Sequence, residues 1–289
     1  MRVLVTGARG NLGSKLVPYL CGQEWCTDVV GVDTRPASAP SGASPRLTSA
    51  VADLANPVDG RWLDLLPGCD AVVHFATGNS MPDCSWAEAT GSLAMTLALL
   101  DAAAAAGVAR FVFASSNHVM GGYKDPPLSA GLTAGSLTTD LPVAPGTSTH
   151  KNVVTSRPVA YATSKLYGEQ AAATTALANH GRLTSVAVRI GWCQPGRNDP
   201  ATINAFGWPM DTPPAPPANS REAADLAWFQ GIWLSNGDFI RLMECAIRAD
   251  ASAWPGPAIV VNGVSKNRGT VWDLEATRRL IGYAPKDGF

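Results

Sequence analysis

The N-terminal segment combines a short apolar strand, a glycine-rich turn and a helical pattern within the first twenty residues. Residues 3–5 form the apolar strand, and Gly7, Gly10 and Gly13 follow with two residues between each pair. Glycines spaced in this way allow a tight turn, close approach of the backbone to a pyrophosphate, and close packing of the helix on the strand. The N-terminus of the helix then faces the anion. The candidate ligand contacts in this turn are Gly7, Arg9, Gly10, Asn11, Leu12 and Gly13.

A second apolar strand ends in an acidic residue. Residues 29–33 form this strand, and Asp33 lies twenty positions after Gly13. A carboxylate at that place can accept hydrogen bonds from an adenosine ribose, and it repels a 2′-phosphate. The pattern therefore favours NAD over NADP, although Arg9 or Arg35 could pair with such a phosphate.

Two further strands end in residues that we expect to reach the same ligand. Residues 47–51 are predicted to form a third strand, and Asp53 after it either meets the adenine amino group or caps a helix. Residues 71–76 are apolar except for His74, as expected of a central parallel strand, and His74 is predicted to be a hydrogen-bonded core residue. Candidate cofactor contacts here are Asp53, Leu54, Phe75, Ala76 and Thr77, followed by the candidate substrate contacts Asn79 and Ser80.

Tyr161 and Lys165 stand four positions apart in an alanine-rich segment that favours a helix. This spacing places both side chains on one helix face, with Cβ atoms about 5–6 Å apart. Tyrosine normally titrates near pH ~10, and a nearby ammonium favours the ionised phenol. The pair therefore predicts a proton acceptor for an alcohol, although two fixed residues in five also recur by chance.

A polar cluster follows the strand predicted over residues 110–114. Ser116 could hydrogen-bond the substrate oxygen that Tyr161 deprotonates. Asn117 and His118 could hold neighbouring hydroxyl groups. The alternative for the whole cluster is an ordinary serine-rich turn.

Two long segments without periodicity flank these residues. Residues 121–157 are rich in Gly, Pro, Ser and Thr and are predicted to form a loop. Residues 195–228 contain seven prolines and are predicted to form a lid or a substrate wall. The remaining predicted elements are a strand over 184–190, a helix over 233–248, a strand over 258–261 and a helix over 270–281.

Composition and charge narrow the class of protein. The 289 residues have a formal net charge of −1 and are 46% apolar, which fits an enzyme-like globule and gives no support to a nucleic-acid partner. No apolar run reaches the ~18–20 residues of a membrane span and no signal-peptide pattern is present, so we expect a cytoplasmic protein. The six cysteines include no CxxC pair, and we predict no metal site.

Three motifs in this order resemble the extended short-chain dehydrogenase/reductase family, and the resemblance extends over nearly the whole chain. They are the glycine turn of residues 6–13, the strand of residues 70–76, and the set Ser116, Tyr161 and Lys165. In that family the set is catalytic, with the tyrosine as the general base.

The resemblance implies an α/β fold with a Rossmann-like doubly wound parallel sheet and a small C-terminal substrate-binding lobe. Residues 1–190 would bind NAD and carry the catalytic set, and residues 191–289 would form the lobe. Lys165 would bind the cofactor ribose and lower the pKa of Tyr161, and Ile190 would contact the cofactor. A homodimer through the helices over 87–106 and 159–178 is the family habit.

Four segments look most like uronate dehydrogenases: residues 114–121, 189–191, 233–239 and 283–287. In those enzymes a serine after the Arg-Ile-Gly segment helps to hold the sugar carboxylate, whereas this chain has Trp192 there. An arginine of those enzymes aligns with Trp228, and Arg197 or Arg221 could substitute for it. Trp192 and Arg197 thus join the candidate substrate contacts.

The leading hypothesis is an NAD-dependent dehydrogenase that takes hydride from a hydroxyl-bearing carbon of a sugar or sugar acid, a small-molecule substrate. The first alternative is an epimerase, or another nucleotide-sugar enzyme, that uses the same residues and keeps its NAD. The second is a dinucleotide-sensing regulator without catalysis. The third is an apolar or aromatic alcohol as substrate, because aromatic loops suit either an aromatic ring or a sugar ring.

Overall fold

Seven parallel strands form the central sheet of the protein. The computed structural model describes residues 1–36, 44–80, 83–151, 154–156, 159–204 and 215–289. The strands in chain order are β1 (Arg2–Thr6), β2 (Asp28–Asp33), β3 (Leu47–Val51), β4 (Ala71–His74), β5 (Arg110–Ser116), β6 (Thr149–Lys151), β7 (Val154–Ser156), β8 (Thr184–Ile190) and β9 (Ala258–Gly263). The helices are α1 (Gly13–Cys21), α2 (Gly60–Leu63), α3 (Trp86–Ala105), α4 (Val159–Ala178), α5 (Arg221–Gly231), α6 (Asn236–Arg248) and α7 (Glu275–Ile281).

The strand order identifies the fold. The order is β3-β2-β1-β4-β5-β8-β9, and every neighbouring pair is parallel, whereas β6 and β7 form a separate antiparallel pair. The chain winds outwards from β1 in both directions, so the order reverses between β1 and β4. This is the doubly wound Rossmann-like arrangement, in which ligands bind where the order reverses. The predicted fold class is confirmed.

Apolar side chains cover both faces of the sheet because successive residues of a strand point to opposite sides. Val3 and Val5 of β1 pack in one layer with α1, α6 and α7. Leu4, between them, packs in the other layer with residues of α3 and α4. Two-sided burial explains why these strands are nearly continuous apolar runs.

A third apolar cluster joins the two segments that lacked periodicity. It contains Val119, Met120, Tyr123, Leu137, Ile203, Phe229, Ile232, Trp233, Val264 and Trp272. Residues on both sides of the predicted domain boundary at residue 190 therefore share one core. Beyond that boundary, β9 also pairs with β8 in the main sheet. The division into residues 1–190 and 191–289 stays a prediction.

The segments predicted to be loops contain short regular elements. The described part of residues 121–157 includes the end of a 3-10 helix (Asn117–Lys124) and the β6–β7 pair, and α5 begins inside residues 195–228. Residues 152–153, 157–158 and 205–214, which these predictions also cover, lie outside the described residues.

Both C-terminal helices are shorter than their apolar patterns suggest. The helix predicted over 233–248 begins at Asn236, with Ser235 as its N-cap. The helix predicted over 270–281 begins only at Glu275, because the backbone before it pairs with Leu137. The Leu137 N–H donates to the Val271 carbonyl (2.7 Å), and the Leu137 carbonyl accepts from the Asp273 N–H (3.1 Å).

The dimer and the location stay predictions. The two helices named for dimerisation, α3 and α4, expose Trp86, Leu97, Tyr167 and Leu177. Across the described residues, no helix combines the length and the apolarity needed to span a bilayer.

Candidate active site

A cleft of about 1000 Å³ opens at the carboxyl ends of the strands, where the strand order reverses. Residues that follow β1, β2, β4, β5 and β8 line it, together with side chains from α3, α4 and α5. Parallel strands bring distant parts of the chain to one edge, which explains why the glycine turn and the Tyr161 helix meet here. The cleft therefore holds most of the predicted site residues.

The glycine turn has the shape of a phosphate cradle. Gly7 has a φ of +64°, and a Cβ on it would lie 2.9 Å from the Ala76 nitrogen. A Cβ on Gly13 would lie 2.3 Å from the Gly7 carbonyl oxygen. Helix α1 begins at Gly13, and Leu12 before it makes no side-chain cap hydrogen bond. The turn therefore brings its backbone and the N-terminus of a helix to the cleft.

Polar residues of the turn hold it in place. The Asn11 side-chain amide donates to the Cys193 carbonyl (2.7 Å), and Lys15 donates to the Asn11 side chain and the Gln194 carbonyl (both 2.6 Å). Gly10, Asn11 and Leu12 line the cleft. Gly13 and Arg9 are not among the lining residues: the first lies under the turn, and the second donates its backbone N–H to Asp33.

Asp33 lies at the end of β2, at one end of the cleft, and is 7% exposed. Its carboxylate accepts from the Arg9 N–H (2.8 Å), the Arg35 N–H (3.0 Å) and the Arg35 guanidinium (3.2 Å). Burial raises the pKa of Asp33, but the hydrogen bonds from Arg35 and Arg9 outweigh it, so the pKa lies below its ordinary value. Asp33 is therefore a fixed, ionised acceptor. Asp53 and Leu54 line the same end, and Asp53 accepts from the Ala55 N–H (2.9 Å).

His74 is a core residue, as predicted. Its two ring nitrogens contact the hydroxyl groups of Thr6 (2.7 Å) and Thr96 (3.0 Å), and it is 1% exposed. Burial, with the nearby charge of Lys165, lowers its pKa to about 3. A neutral histidine with both nitrogens occupied connects β1, β4 and α3.

The residues after β4 divide between the cleft and the start of α3. Phe75, Ala76, Thr77 and Ser80 line the cleft. The candidate substrate contact Asn79 is not among the lining residues, and its amide donates to Glu88 (3.2 Å).

The end of β5 supplies a polar wall. Ser116 is 4% exposed, and its hydroxyl oxygen accepts from the His118 N–H (3.2 Å). The Asn117 amide donates to the Ile190 carbonyl (3.0 Å), whereas its Oδ1, also buried, has no hydrogen-bond partner among the described residues. His118 shares a hydrogen bond with Thr147 (2.7 Å), and burial lowers its pKa to about 4, so it is neutral.

Helix α4 brings Tyr161 and Lys165 to the same wall. It lies directly against β5, because a Cβ on Gly168 would come within 2.3 Å of the Phe113 ring. The Lys165 ammonium lies 5.7 Å from the centroid of the Tyr161 ring and 5.1 Å from that of Phe113. Ser116, Tyr161 and Lys165 all line the cleft. The structure thus brings together the three residues predicted to be catalytic.

The protonation of this pair differs from the expectation. Burial raises the pKa of Tyr161 to about 12, against a smaller lowering by the hydrogen bond with Ser116. Burial also lowers the pKa of Lys165 to about 8. The predicted fall in the Tyr161 pKa is therefore not seen in the protein alone, because loss of water from a half-buried phenol outweighs its polar contacts. The ammonium carries its charge at neutral pH.

An aromatic wall stands beside these groups. The ring centroids of Trp192 and Phe229 are 4.8 Å apart, and His118 meets Tyr161 edge-on at 5.9 Å. Backbone pairing holds Trp192, whose N–H donates to the Ile232 carbonyl (2.7 Å). Its indole Nε1 is buried without a partner among the described residues.

Both arginines proposed to replace the missing cation lie away from this wall. Arg197 is exposed and lines a separate, smaller pocket with Asn236 and Asp287, and Arg221 is exposed at the start of α5. Trp228 packs its ring against Trp272 (centroids 6.1 Å apart) and does not line the cleft.

Known proteins resemble the chain in both sequence and fold. The profile of the NAD dependent epimerase/dehydratase family matches residues 3–191. The chain belongs to this family. L-arabinose 1-dehydrogenase (NAD(P)(+)) of Haloferax volcanii is 28% identical, over 99% of this chain and 96% of that protein. Uronate dehydrogenase of Pseudomonas putida is 28% identical, over 99% of this chain and 84% of that protein. The crystal structure of uronate dehydrogenase from Agrobacterium tumefaciens superimposes with a TM-score of 0.68 at 26% identity, over 99% and 85%.

As a member of the NAD dependent epimerase/dehydratase family, the protein is an enzyme and its cofactor is NAD. The cleft fits this group. Gly7 and Gly13 pack too closely on neighbouring backbone to carry a Cβ, which keeps the turn tight beside the cleft, and Asp33 presents a buried carboxylate. At the opposite wall Lys165 offers an ammonium and Ile190 an apolar contact. These residues would hold a diphosphate, an adenosine ribose and a second ribose.

Several lining residues of this family member have no counterpart among the sequence candidates. They include Ser92, Met95, Thr147, Thr149, Gln194 and Phe229. Thr147 lies in the segment 121–157, which has no periodicity, and Phe229 directly follows the segment 195–228, so only the folded chain shows them. Arg35, named from its sequence position only as a possible partner of a 2′-phosphate, also lines the cleft.

Asp33 should set the choice between NAD and NADP in this enzyme. We expect Asp33→Ala to weaken NADH binding about 10-fold and to raise the ratio of NADPH to NADH affinity about 10- to 100-fold, because a charged acceptor and its repulsion of a phosphate are both lost. Fluorescence titration with the two dinucleotides measures this. Asp28→Asn, at the far end of the same strand, is the matched control. An unchanged preference would remove Asp33 from the cofactor site.

Proposed function

We propose that this family member is a dehydrogenase that oxidises a hydroxyl-bearing carbon of a sugar or sugar acid and transfers the hydride to NAD. The observation that supports it is the meeting of Ser116, Tyr161 and Lys165 in the cleft that also contains the glycine turn. An alcohol oxidation needs a proton acceptor, a group that orients the hydroxyl, and a dinucleotide site beside them.

Each residue of the set has one task. Ser116 hydrogen-bonds the substrate hydroxyl and holds it beside Tyr161. Tyr161, in its ionised phenolate form, accepts the proton of the substrate hydroxyl. Bound NAD supplies the hydride acceptor. Lys165 favours the ionised phenol, which burial alone opposes, and it is one of two cations, with Arg35, among the described lining residues.

The wall beside Tyr161 suits a sugar ring. The Trp192 and Phe229 rings offer an apolar face on which the C–H face of a sugar can pack. Asn117 and Trp192 both line the cleft, and the buried Asn117 Oδ1 and Trp192 Nε1 have no hydrogen-bond partner among the described residues. The similarity to an L-arabinose 1-dehydrogenase and to uronate dehydrogenases supports the same substrate class.

The wall favours neutral sugars over uronates. A serine helps to hold the carboxylate in uronate dehydrogenases, whereas Trp192 presents a large aromatic surface and a single N–H. Burial of a carboxylate against such a surface is costly unless it is paired. We therefore expect kcat/KM for D-galactose to exceed that for D-galacturonate, which differs only at C6, by about 10-fold or more.

A panel assay tests the proposed function. The protein is incubated with NAD and with L-arabinose, D-galactose, D-glucose, D-galacturonate or D-glucuronate, and both NADH and sugar are quantified. We expect NADH to accumulate in proportion to one or more sugars consumed. Conversion of a sugar without NADH accumulation would indicate an epimerase. A nucleotide sugar and a cyclic alcohol are added to the panel. If the protein binds NAD but turns over none of these compounds, the result would favour a dinucleotide sensor.

A further inference from the structure

Behind the reacting groups lies a buried ion pair that the mechanism above does not use. Arg189 donates to both oxygens of Glu169 (2.9 Å each), and the two side chains are 3% and 1% exposed. The Ser115 hydroxyl donates to the same carboxylate. A two-point contact of this kind fixes both the distance and the orientation of the planar groups.

With Ser115, this pair connects α4 and β5, which carry the catalytic set, to β8, which carries the cofactor contact Ile190. Glu169 lies on α4 one turn after Lys165, and Arg189 lies on β8 immediately before Ile190. In the sheet, Ser115 is paired with Arg189, and Ser116 with Ile190. Each partner of the network is thus one residue, or one helical turn, from a group that lines the cleft.

We propose that Glu169 and Arg189 are positioning residues that hold the Tyr161–Lys165 helix in register with Ser116 and Ile190. The inference rests on the proposed function. Two buried charges in contact are costly to desolvate, so their presence is weak support for a purely stabilising role. Misplacement of a reacting group by about 1 Å can cost about 100-fold in rate.

Glu169 is also a neighbour of Lys165 on one helix face, because the two residues stand four positions apart on α4. The titratable groups near this ammonium are Tyr161 on its own helix and His74 on β4, and Glu169 with its partner Arg189 follows one helical turn further along α4. Since the pKa of Tyr161 is about 12 and that of His74 about 3, a change of NADH affinity near pH 8 reports Lys165. Loss of the Glu169 charge leaves Arg189 unpaired, which disfavours the ammonium and lowers the Lys165 pKa.

The test compares Glu169→Gln, Arg189→Lys and the double variant Glu169→Gln/Arg189→Met with wild type. NADH affinity is measured as a function of pH. The kcat is measured with the sugar of the panel that gives the fastest NADH formation. In Glu169→Gln we expect the change of affinity to move to lower pH by about half to one unit and kcat to fall about 10- to 100-fold. The double variant returns the pH dependence to wild type without restoring kcat. Arg189→Lys keeps the charge, so its pH dependence stays and its kcat falls.

Arg110→Met is the matched control. Arg110 is a buried arginine at the opposite end of β5, where it donates to the carbonyls of Ala246 (2.9 Å) and Ala249 (2.7 Å), far along the strand from Ser116. We expect this variant to lower the melting temperature but to leave both kcat and the pH dependence of NADH binding unchanged at temperatures where the protein is folded.

Two results would overturn the positioning role. One is a Glu169→Gln protein that loses melting temperature as Arg110→Met does but keeps wild-type kcat and pH dependence. If Glu169→Gln does not fold, the milder variants Ser115→Ala and Arg189→Lys replace it in the test. The second contradicting result is then a wild-type kcat in both of these variants. A wild-type protein that does not bind NADH would instead refute the proposed function, and the positioning role with it.

Discussion

Replacing Tyr161 with phenylalanine should lower kcat by about 10²- to 10⁴-fold, because the reaction loses its proton acceptor. The substitution removes one oxygen and keeps the ring that meets His118 edge-on at 5.9 Å. NADH affinity and melting temperature should therefore stay close to wild type. Initial rates of NADH formation and an NADH titration measure both quantities.

Tyr167→Phe is the matched control for this variant. Tyr167 lies on the same helix, is 56% exposed, and removal of its hydroxyl should leave kcat unchanged. A Tyr161→Phe protein with near-normal turnover would contradict the assignment of the base, whereas equal losses in both variants would point to a general effect on α4.

Replacing Lys165 with methionine should lower kcat by about 100-fold or more, because the charge that favours the ionised phenol is lost. NADH affinity should fall as well, and its change near pH 8 should disappear. Lys266→Met, at an exposed position between β9 and α7, is the control and should behave as wild type.

The same substitution should raise stability at neutral pH. Burial lowers the pKa of Lys165 to about 8 in the folded protein, whereas an unfolded lysine titrates near ~10.4. The unfolded chain therefore binds the proton more tightly, so the ammonium opposes folding below pH 8, and this penalty fades between pH 8 and 10.4. Its removal should add roughly 2–3 kcal/mol to the free energy of unfolding at pH 7. Chemical denaturation at pH 7 and pH 10 measures it: a gain that does not shrink at the higher pH would contradict the assigned pKa.

The fold and the centre of the site followed from local patterns. The glycine turn, Asp33 and the spacing of Tyr161 and Lys165 each reflect a geometric requirement that few other residues satisfy. The rule that parallel strands present their carboxyl ends at one edge then brings them together with Ser116. Each step needs only short-range sequence information and one fact about sheets.

The substrate wall could not be predicted in the same way. Thr147 lies in the segment 121–157 and Phe229 directly follows the segment 195–228, and neither segment has a helical or a strand period. Phe229 reaches the cleft through packing with residues far away in the chain, and Thr147 lies there beside His118, with which it shares a hydrogen bond. Arg197 was expected at the substrate because of its charge, but it lies in a different pocket. Long-range packing decides such positions.

The protonation state of the site also depended on burial. The sequence shows that an ammonium lies one helical turn from a phenol, but it does not show how much water each group loses. In the folded protein desolvation outweighs polar contacts for Tyr161, so the pKa rises where the pair alone suggested a fall. The ion pair of Glu169 and Arg189 was likewise missed, because its partners are separated by 20 positions.

Isotope transfer tests the hydride step most directly. An accepted sugar carrying deuterium at the carbon that is oxidised is incubated with NAD, and the NADH formed is analysed by mass spectrometry. Hydride transfer to NAD requires one deuterium in each NADH molecule, and formation in the Tyr161→Phe protein should be slower by at least about 100-fold. Unlabelled NADH, or a changed sugar with deuterium still on its carbon and no NADH, would contradict it.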